Sequence, residues 1–137
     1  MVSGRDRLFV YGTLMRRLGG RPHRLLAGRA RYLGPAWTPG RLYALDGYPG
    51  LVPARTSRDR VHGELYLVLD APGLFARLDE YEACAAGDGE YRRCRVQVHW
   101  RGGCSPAWAY LYTRPITGRR RIAGGDYAAH LAWRRES

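Results

Sequence analysis

The chain has 137 residues, and its hydrophobic content of 45% excludes an intrinsically disordered or collagen-like protein. This length fits one domain over residues 1–137, and it suffices for a hydrophobic core without disulfides or a structural metal. Basic residues outnumber acidic ones by 23 to 12, for a net charge of +11, which raises the question of a polyanionic partner.

In chain order, strands dominate the predicted elements. Periodicity and turn residues predict strands at 7–11, 31–36, 41–45, 61–69, 93–100 and 107–113. A short helical turn is expected at 22–27, and a longer helix begins at Asp70, whose side chain caps it, and runs to about Cys84. Asp126 is expected to cap a terminal helix through Trp133. The pattern predicts an α+β fold with a mostly antiparallel, curved or barrel-like sheet and helices packed outside it.

The arginine surplus is scattered rather than concentrated. All 23 basic residues are Arg, and the chain has neither Lys nor Asn, which is typical of a high-GC coding sequence. The main clusters are Arg16-Arg17 and 119–121. We therefore predict a basic surface spread around the protein and no specific nucleic-acid partner. A surface that binds RNA or another anion is the competing interpretation.

Cysteines, histidines and apolar runs exclude several classes of protein. The cysteines are Cys84, Cys94 and Cys104, and the histidines are His23, His62, His99 and His130. Neither set has the spacing of a metal site. Apolar runs stay far below the ~20 residues of a membrane span, and the N-terminus lacks the apolar core of a signal peptide. The sequence predicts a reduced cytoplasmic protein without a structural metal or a membrane span.

One carboxylate falls on the apolar face of the central predicted helix. Because successive helical residues turn by ~100°, Leu74, Phe75, Leu78 and Tyr81 define an arc toward the core, and Glu82 falls between Leu78 and Phe75. Burial raises the pKa of a carboxyl group toward the range useful to a general acid/base. Alternatively, Glu82 pairs with an arginine such as the one at 92 or 93, or turns outward at the helix end.

A second feature is the sequence Tyr11-Gly12-Thr13-Leu14, which follows the first predicted strand. Glycine permits a backbone turn that a side chain would obstruct. Successive free N–H groups in such a turn can bind a carboxylate or an oxyanion. By itself the pattern is common at strand ends.

Six short segments in this order resemble the gamma-glutamylcyclotransferase-like family, and its gamma-glutamylamine cyclotransferase type in particular. They lie at residues 8–14, 47–52, 61–66, 78–82, 90–93 and 107–112, and they read LFVYGTL, GYPGLV, VHGELY, LDEYE, EYRR and AWAYLY. The resemblance covers about residues 7 to 127. It implies a compact barrel with flanking helices, and an enzyme that converts a γ-glutamyl amine or amide into 5-oxoproline and free amine without a cofactor.

The resemblance also assigns roles to residues. It implies that Tyr11, Gly12, Thr13 and Leu14 hold the γ-glutamyl group largely through their backbone, and that Glu82 is the acid/base. Candidates for the pocket lining are Tyr91, Tyr110 and Tyr112. Two departures bear on substrate choice: Ala83 stands where the family often has Gly, and 85–89 is a variable loop. The reading YGTL, instead of YGSL, favours substrates other than glutathione.

A non-catalytic member of the same fold is the main alternative to an enzyme. Such a protein would bind a small acidic metabolite or a protein partner. The presence of Glu82 and of the Tyr11–Leu14 segment favours the enzyme. The sequence identifies neither the amine that leaves nor the oligomeric state.

Overall fold

The computed structural model describes residues 6–45, 47–81 and 90–136. The strands are β1 (Arg7–Val10), β2 (Ala30–Pro39), β3 (Arg41–Ala44), β4 (Pro49–Val52), β5 (Arg60–Val68), β6 (Tyr91–Trp100), β7 (Gly103–Tyr112) and β8 (Arg120–Arg121). The helices are α1 (Ala71–Tyr81) and α2 (Tyr127–Glu136), and short 3-10 turns span Arg16–Leu18 and Arg21–Leu26. Neither described helix is long and apolar enough to cross a membrane.

Five strands close into a barrel in the order β1-β5-β2-β6-β7. Four neighbouring pairs are antiparallel, and a parallel contact between β1 and β7, at Leu8 and Trp108, completes the closure. A small second sheet has the order β4-β3-β8. The expected α+β fold with a mostly antiparallel barrel and flanking helices is therefore confirmed.

Alternate side chains of the barrel strands form the core, but β5 does not alternate between buried and exposed residues. Val61 and Leu65 are buried as their apolar character predicts, but Glu64 and Tyr66 on the opposite face are buried as well. The segment that follows β1 covers this outer face, so β5 is covered on both sides. Leu69, predicted as the last residue of this strand, lies beyond it and is exposed.

Helix α1 begins as predicted, because the Asp70 carboxylate accepts a hydrogen bond from the backbone N–H of Gly73 at 3.3 Å. Leu74, Phe75 and Leu78 are buried, which confirms most of the predicted apolar face. Tyr81 was expected in the same arc, but its side chain is 44% exposed. The expectation for Tyr81 was wrong because its hydroxyl contacts the segment after β1 rather than the core.

The short strand β8 was not predicted, since a two-residue strand leaves no periodicity to detect. It pairs with β3, and an ion pair between Arg121 and Asp59 at 2.8 Å lies beside it. The Asp59 carboxylate also accepts backbone hydrogen bonds from Arg55 at 2.8 Å and Thr56 at 3.0 Å. These interactions hold the pKa of Asp59 well below its usual range, and the hydrogen bond from the Arg55 backbone N–H has the largest effect. The Arg121 guanidinium and the Thr56 N–H act in the same direction.

This lowered pKa predicts an acid-dependent loss of stability. The unfolded chain binds a proton at Asp59 near pH 3.8, whereas the folded chain resists protonation, so the stabilisation is complete above that pH and declines as the pH falls further. We expect the Asp59→Asn variant to be less stable than the wild type at neutral pH, with the difference narrowing below about pH 4. Urea unfolding at several pH values measures this, and a difference independent of pH would contradict it.

Several arginines stack on aromatic rings of the barrel. The guanidinium of Arg60 lies 4.1 Å from the ring centre of Trp37, and that of Arg95 lies 4.7 Å from the ring centre of Trp108. Arg16 lies 4.3 Å from the ring centre of Tyr32. Cation–π contacts of this kind stabilise the strands that carry them, and they use arginines on separate elements.

Candidate functional site

A cavity of about 320 Å³ lies where β1 ends. It is enclosed by the end of β1 and the segment after it, by the turn before β4, and by residues at the end of α1 and the start of β6. The lining residues are Phe9, Val10, Tyr11, Gly12, Thr13, Leu14, Gly47, Tyr48, Pro49, Tyr81, Glu90, Tyr91 and Tyr110. Among the described lining residues, hydroxyl groups and the carboxylate of Glu90 accompany apolar side chains, the usual composition of a small-molecule site.

The segment Tyr11–Leu14 forms one wall, and its backbone is available to a ligand. Within the described part of the chain, the N–H groups of Gly12, Thr13 and Leu14 donate no hydrogen bond to the protein. Three successive N–H groups without a protein acceptor, next to a cavity, constitute a potential anion-binding backbone. The Tyr11 side chain points inward, where its hydroxyl donates to the Tyr110 carbonyl and accepts from the Leu51 N–H.

Gly12 occupies a position that has no room for a side chain. A Cβ atom there would lie 2.9 Å from Cγ and 3.0 Å from Cδ of Pro49. Pro49 is itself fixed, because the buried Tyr91 hydroxyl donates to its carbonyl at 2.7 Å. Gly12 does not adopt positive φ, so a close approach to Pro49, rather than the backbone freedom expected from the sequence, requires glycine here.

Behind this wall lies Glu64, which the sequence analysis did not single out. Its side chain is 1% exposed, and its carboxylate accepts hydrogen bonds from the backbone N–H of Arg16 at 2.7 Å and of Arg17 at 3.3 Å. The Arg17 guanidinium at 3.2 Å and the Tyr66 hydroxyl at 3.0 Å complete the shell. Glu64 therefore ties the residues after Leu14 to β5. A charged residue within an otherwise apolar strand was the signal for it.

We predict that the Glu64→Gln variant is less stable than the wild type by about 1–3 kcal/mol. The amide keeps the shape, but its NH₂ group cannot accept from one of the two backbone N–H donors, which is then left buried and unsatisfied. Urea denaturation measures the difference, with Glu80→Gln on the exposed side of α1 as the control. Equal unfolding midpoints for Glu64→Gln and wild type would contradict the anchoring role.

Two tyrosine hydroxyls, one on α1 and one on β7, connect the end of α1 to the rest of the cavity lining. The hydroxyls of Tyr81 and Thr13 are hydrogen-bonded at 2.8 Å, which joins the helix end to the Tyr11–Leu14 segment. The Tyr110 hydroxyl donates to Asp79 at 2.5 Å, and Arg93 pairs with the same carboxylate at 3.2 Å. Burial, followed by the hydrogen bond to Asp79, raises the pKa of Tyr110 well above its usual range. Tyr110 therefore remains a neutral donor at physiological pH.

Glu90 provides a carboxylate on another side of the cavity. The Tyr48 hydroxyl lies 2.9 Å from one carboxylate oxygen and 3.2 Å from the other. The Glu90 carbonyl accepts from the N–H of Thr113 at 2.8 Å and from its hydroxyl at 3.0 Å, which fixes the backbone at this point. Glu90 belongs to the EYRR segment of the sequence, which predicted no role for it.

The structure gathers most of the residues singled out in the sequence around one cavity. Tyr91 and Tyr110 line it together with the Tyr11–Leu14 segment. Tyr112 does not line it; its ring packs against that of Tyr91 with centroids 5.7 Å apart. Glu82 lies outside the described residues, and the residue before it, Tyr81, lines the cavity.

None of the described cysteines and histidines lines this cavity, although a ring nitrogen of His23 is hydrogen-bonded to the carbonyl of the lining residue Leu14 at 3.0 Å. Cys94 is partly buried and Cys104 is exposed, and both are free thiols, whereas Cys84 lies outside the described residues. Within residues 6–45, 47–81 and 90–136, no group of three or more potential ligands is arranged to hold a metal ion.

A closed barrel with a cavity beside its first strand is a fold that can be compared with known proteins, and the comparison identifies the family. The chain belongs to the gamma-glutamyl cyclotransferase, AIG2-like family, whose model matches residues 8–129. The gamma-glutamylcyclotransferase family protein YtfP of Escherichia coli K12 is 36% identical over 122 residues, which cover 88% of this chain and 95% of YtfP.

Solved structures agree with this assignment. The solution structure of YtfP from Escherichia coli matches with a TM-score of 0.61, covering 91% of this chain and 98% of that one at 36% identity. The crystal structure of an AIG2-like protein from Mus musculus matches with a TM-score of 0.64 at 26% identity, covering 79% of this chain and 77% of that one. The resemblance drawn from the six sequence segments is thereby confirmed.

Proposed function

We propose that this protein is an enzyme that converts a γ-glutamyl amine or amide into 5-oxoproline and the free amine. The observation that carries the proposal is the run of three backbone N–H groups at Gly12, Thr13 and Leu14, which line the cavity and have no acceptor among the described residues. A γ-glutamyl group offers such a site an α-carboxylate, and the reaction offers it a developing oxyanion. The Tyr11–Leu14 segment is therefore the proposed substrate-binding wall. Tyr91 lines the cavity as well, and the ring of Tyr112 packs against the ring of Tyr91.

The proposed reaction is an intramolecular acyl transfer. The α-amine attacks the γ-carbonyl carbon of the same glutamyl group, a five-membered lactam forms, and the bond from that carbon to the amine nitrogen breaks. A cavity that folds the substrate so that amine and carbonyl meet can supply roughly 7–11 kcal/mol at best. No electrons are gained or lost, so the chemistry requires no redox cofactor.

Glu82 is the proposed acid/base. The α-amine is mostly protonated at neutral pH, and its attack requires that a base remove a proton. In the proposal the Glu82 carboxylate takes this proton and then returns it to the leaving nitrogen, so the enzyme ends in its starting state. The attacking nitrogen loses a second proton to water as the lactam forms, and the released amine takes up one proton from water, so the protons balance. Two points support the assignment: Glu82 follows directly after the cavity-lining Tyr81, and the sequence periodicity predicts it for the helix face that carries Phe75 and Leu78, which are buried.

The substrate is proposed to be a small cytoplasmic molecule. The experiment is to incubate the purified protein with γ-glutamyl peptides, γ-glutamyl-lysine derivatives and glutathione, and to measure 5-oxoproline. We expect release from γ-glutamyl amines, and little from glutathione. Saturable binding of these compounds without any 5-oxoproline would instead identify a non-catalytic metabolite-binding member of the family.

A further inference from the structure

We propose that Glu90 selects substrates whose amine half carries a positive charge. This inference rests on the proposed function, because it concerns the leaving amine of that reaction. Glu90 is a carboxylate in the lining of the cavity, and no role in binding the γ-glutamyl group or in the proton transfer has been assigned to it above.

The charge of Glu90 is not neutralised by a cationic side chain in the described part of the chain. Its two carboxylate oxygens contact the Tyr48 hydroxyl, and the four ion pairs of the described residues involve Asp6, Asp59, Glu64 and Asp79. A partly enclosed negative charge attracts a cationic ligand group more strongly than an exposed one does.

The Glu90 carboxylate is held in a fixed position, which favours specific recognition of a ligand group. Tyr48 orients the carboxylate, and Thr113 holds the Glu90 backbone through two hydrogen bonds. Tyr48 and Tyr91 lie nearby, with their ring centroids 6.3 Å apart. Tyrosine rings next to a carboxylate favour an organic ammonium group, because the ring faces add cation–π attraction to the ion pair.

The two ammonium groups that a substrate can carry are not equivalent for the reaction. An ion pair with the α-ammonium of the γ-glutamyl group would favour its protonated form, and the attacking amine must lose that proton. A cation in the leaving amine keeps its proton throughout. Glu90 can therefore pair with the leaving half without opposing the chemistry, and this assigns it to substrate choice.

A matched pair of substrates tests the assignment. The first is the γ-glutamyl monoamide of putrescine, which ends in an ammonium group, and the second is γ-glutamyl n-pentylamide, in which a methyl group replaces that ammonium. We expect wild-type kcat/KM to favour the ammonium compound by about tenfold, which corresponds to about 1.4 kcal/mol. In Glu90→Gln this ratio falls toward one, mainly because KM for the ammonium compound rises. Glu80→Gln, a change of the same chemistry on the exposed side of α1, retains the wild-type ratio.

Other outcomes overturn the proposal. An unchanged ratio in Glu90→Gln excludes charge selection by this residue, and an equal loss for both compounds indicates a structural role or a role in proton transfer. If the wild type releases 5-oxoproline from neither compound, calorimetric binding of the same pair replaces the kinetics. If the wild type binds the ammonium compound more tightly and Glu90→Gln does not, charge selection by Glu90 is supported even though the proposed cyclotransferase activity has failed. If the wild type binds the two compounds equally, charge selection is overturned.

Discussion

Replacing Glu82 with Gln is expected to lower kcat/KM for 5-oxoproline release by about 100-fold to 10,000-fold, the usual range for a lost general acid/base. The amide has nearly the shape of the carboxylate but cannot take a proton from the α-ammonium. Because this change removes the proton transfer and leaves the volume nearly constant, we expect KM and the melting temperature to change little. The measurement is steady-state kinetics on whichever γ-glutamyl amine the wild type converts best, together with a thermal melt.

Glu80→Gln is the control for this variant. Glu80 lies two residues away and is exposed on α1, so the same chemical change there should leave activity nearly unaltered. Wild-type rates in purified, folded Glu82→Gln would exclude Glu82 as the acid/base.

Replacing Gly12 with Val is expected to lower activity by at least about 100-fold, since a displacement of about 1 Å in a reacting group can cost that much. The new side chain would overlap Pro49, whose ring atoms lie 2.9 and 3.0 Å from the position of its Cβ. Pro49 cannot yield easily because Tyr91 holds its carbonyl. We expect the fold to survive with a loss of about 1–3 kcal/mol, as for other overpacked positions, while the N–H groups after Gly12 move away from the substrate.

Thr13→Ala is the matched comparison in the same segment. It removes the hydrogen bond to the Tyr81 hydroxyl, worth about 1 kcal/mol in general, and keeps the backbone N–H. Activity should therefore fall by no more than about fivefold. Kinetics and thermal melts of both variants give the comparison. Equal activity losses in the two variants, or the absence of folded Gly12→Val protein, would mean that the segment serves the fold rather than a ligand.

The elements with strong periodicity could be predicted from the sequence. Strand β5 and helix α1 carry clear apolar patterns, and the caps Asp70 and Asp126 lie where the sequence placed them, with their carboxylates on the N–H groups of Gly73 and Ala129. Each of these depends on interactions within a few residues. Such local preferences survive in the folded protein because the tertiary structure agrees with them.

Features that depend on distant residues could not be predicted. Nothing local to β5 indicates that the segment after β1 covers Glu64. Tyr81 matched the apolar face of α1, but the helix ends beside Thr13 and the tyrosine hydroxyl finds its partner there. The reason for glycine at position 12 lies at Pro49, 37 positions along the chain.

The candidate site shows the same division. The sequence predicted a site at Tyr11–Leu14, Tyr91 and Tyr110, and these residues line one cavity. It gave no role to Glu90, because a carboxylate at the start of a strand is ordinarily solvated. Only the arrangement around Tyr48 reveals that this one faces a cavity.

The most direct test of the proposed chemistry is the product formed from a γ-glutamyl amine in ¹⁸O-labelled water, analysed by mass spectrometry. Cyclisation predicts 5-oxoproline and free amine in equal amounts, with no ¹⁸O in the 5-oxoproline, because the α-amine and not water attacks the carbonyl. It also predicts that the N-acetylated substrate, whose α-nitrogen is no longer nucleophilic, is not cleaved. Glutamate carrying ¹⁸O in its γ-carboxylate, or cleavage of the N-acetylated compound, would contradict the account.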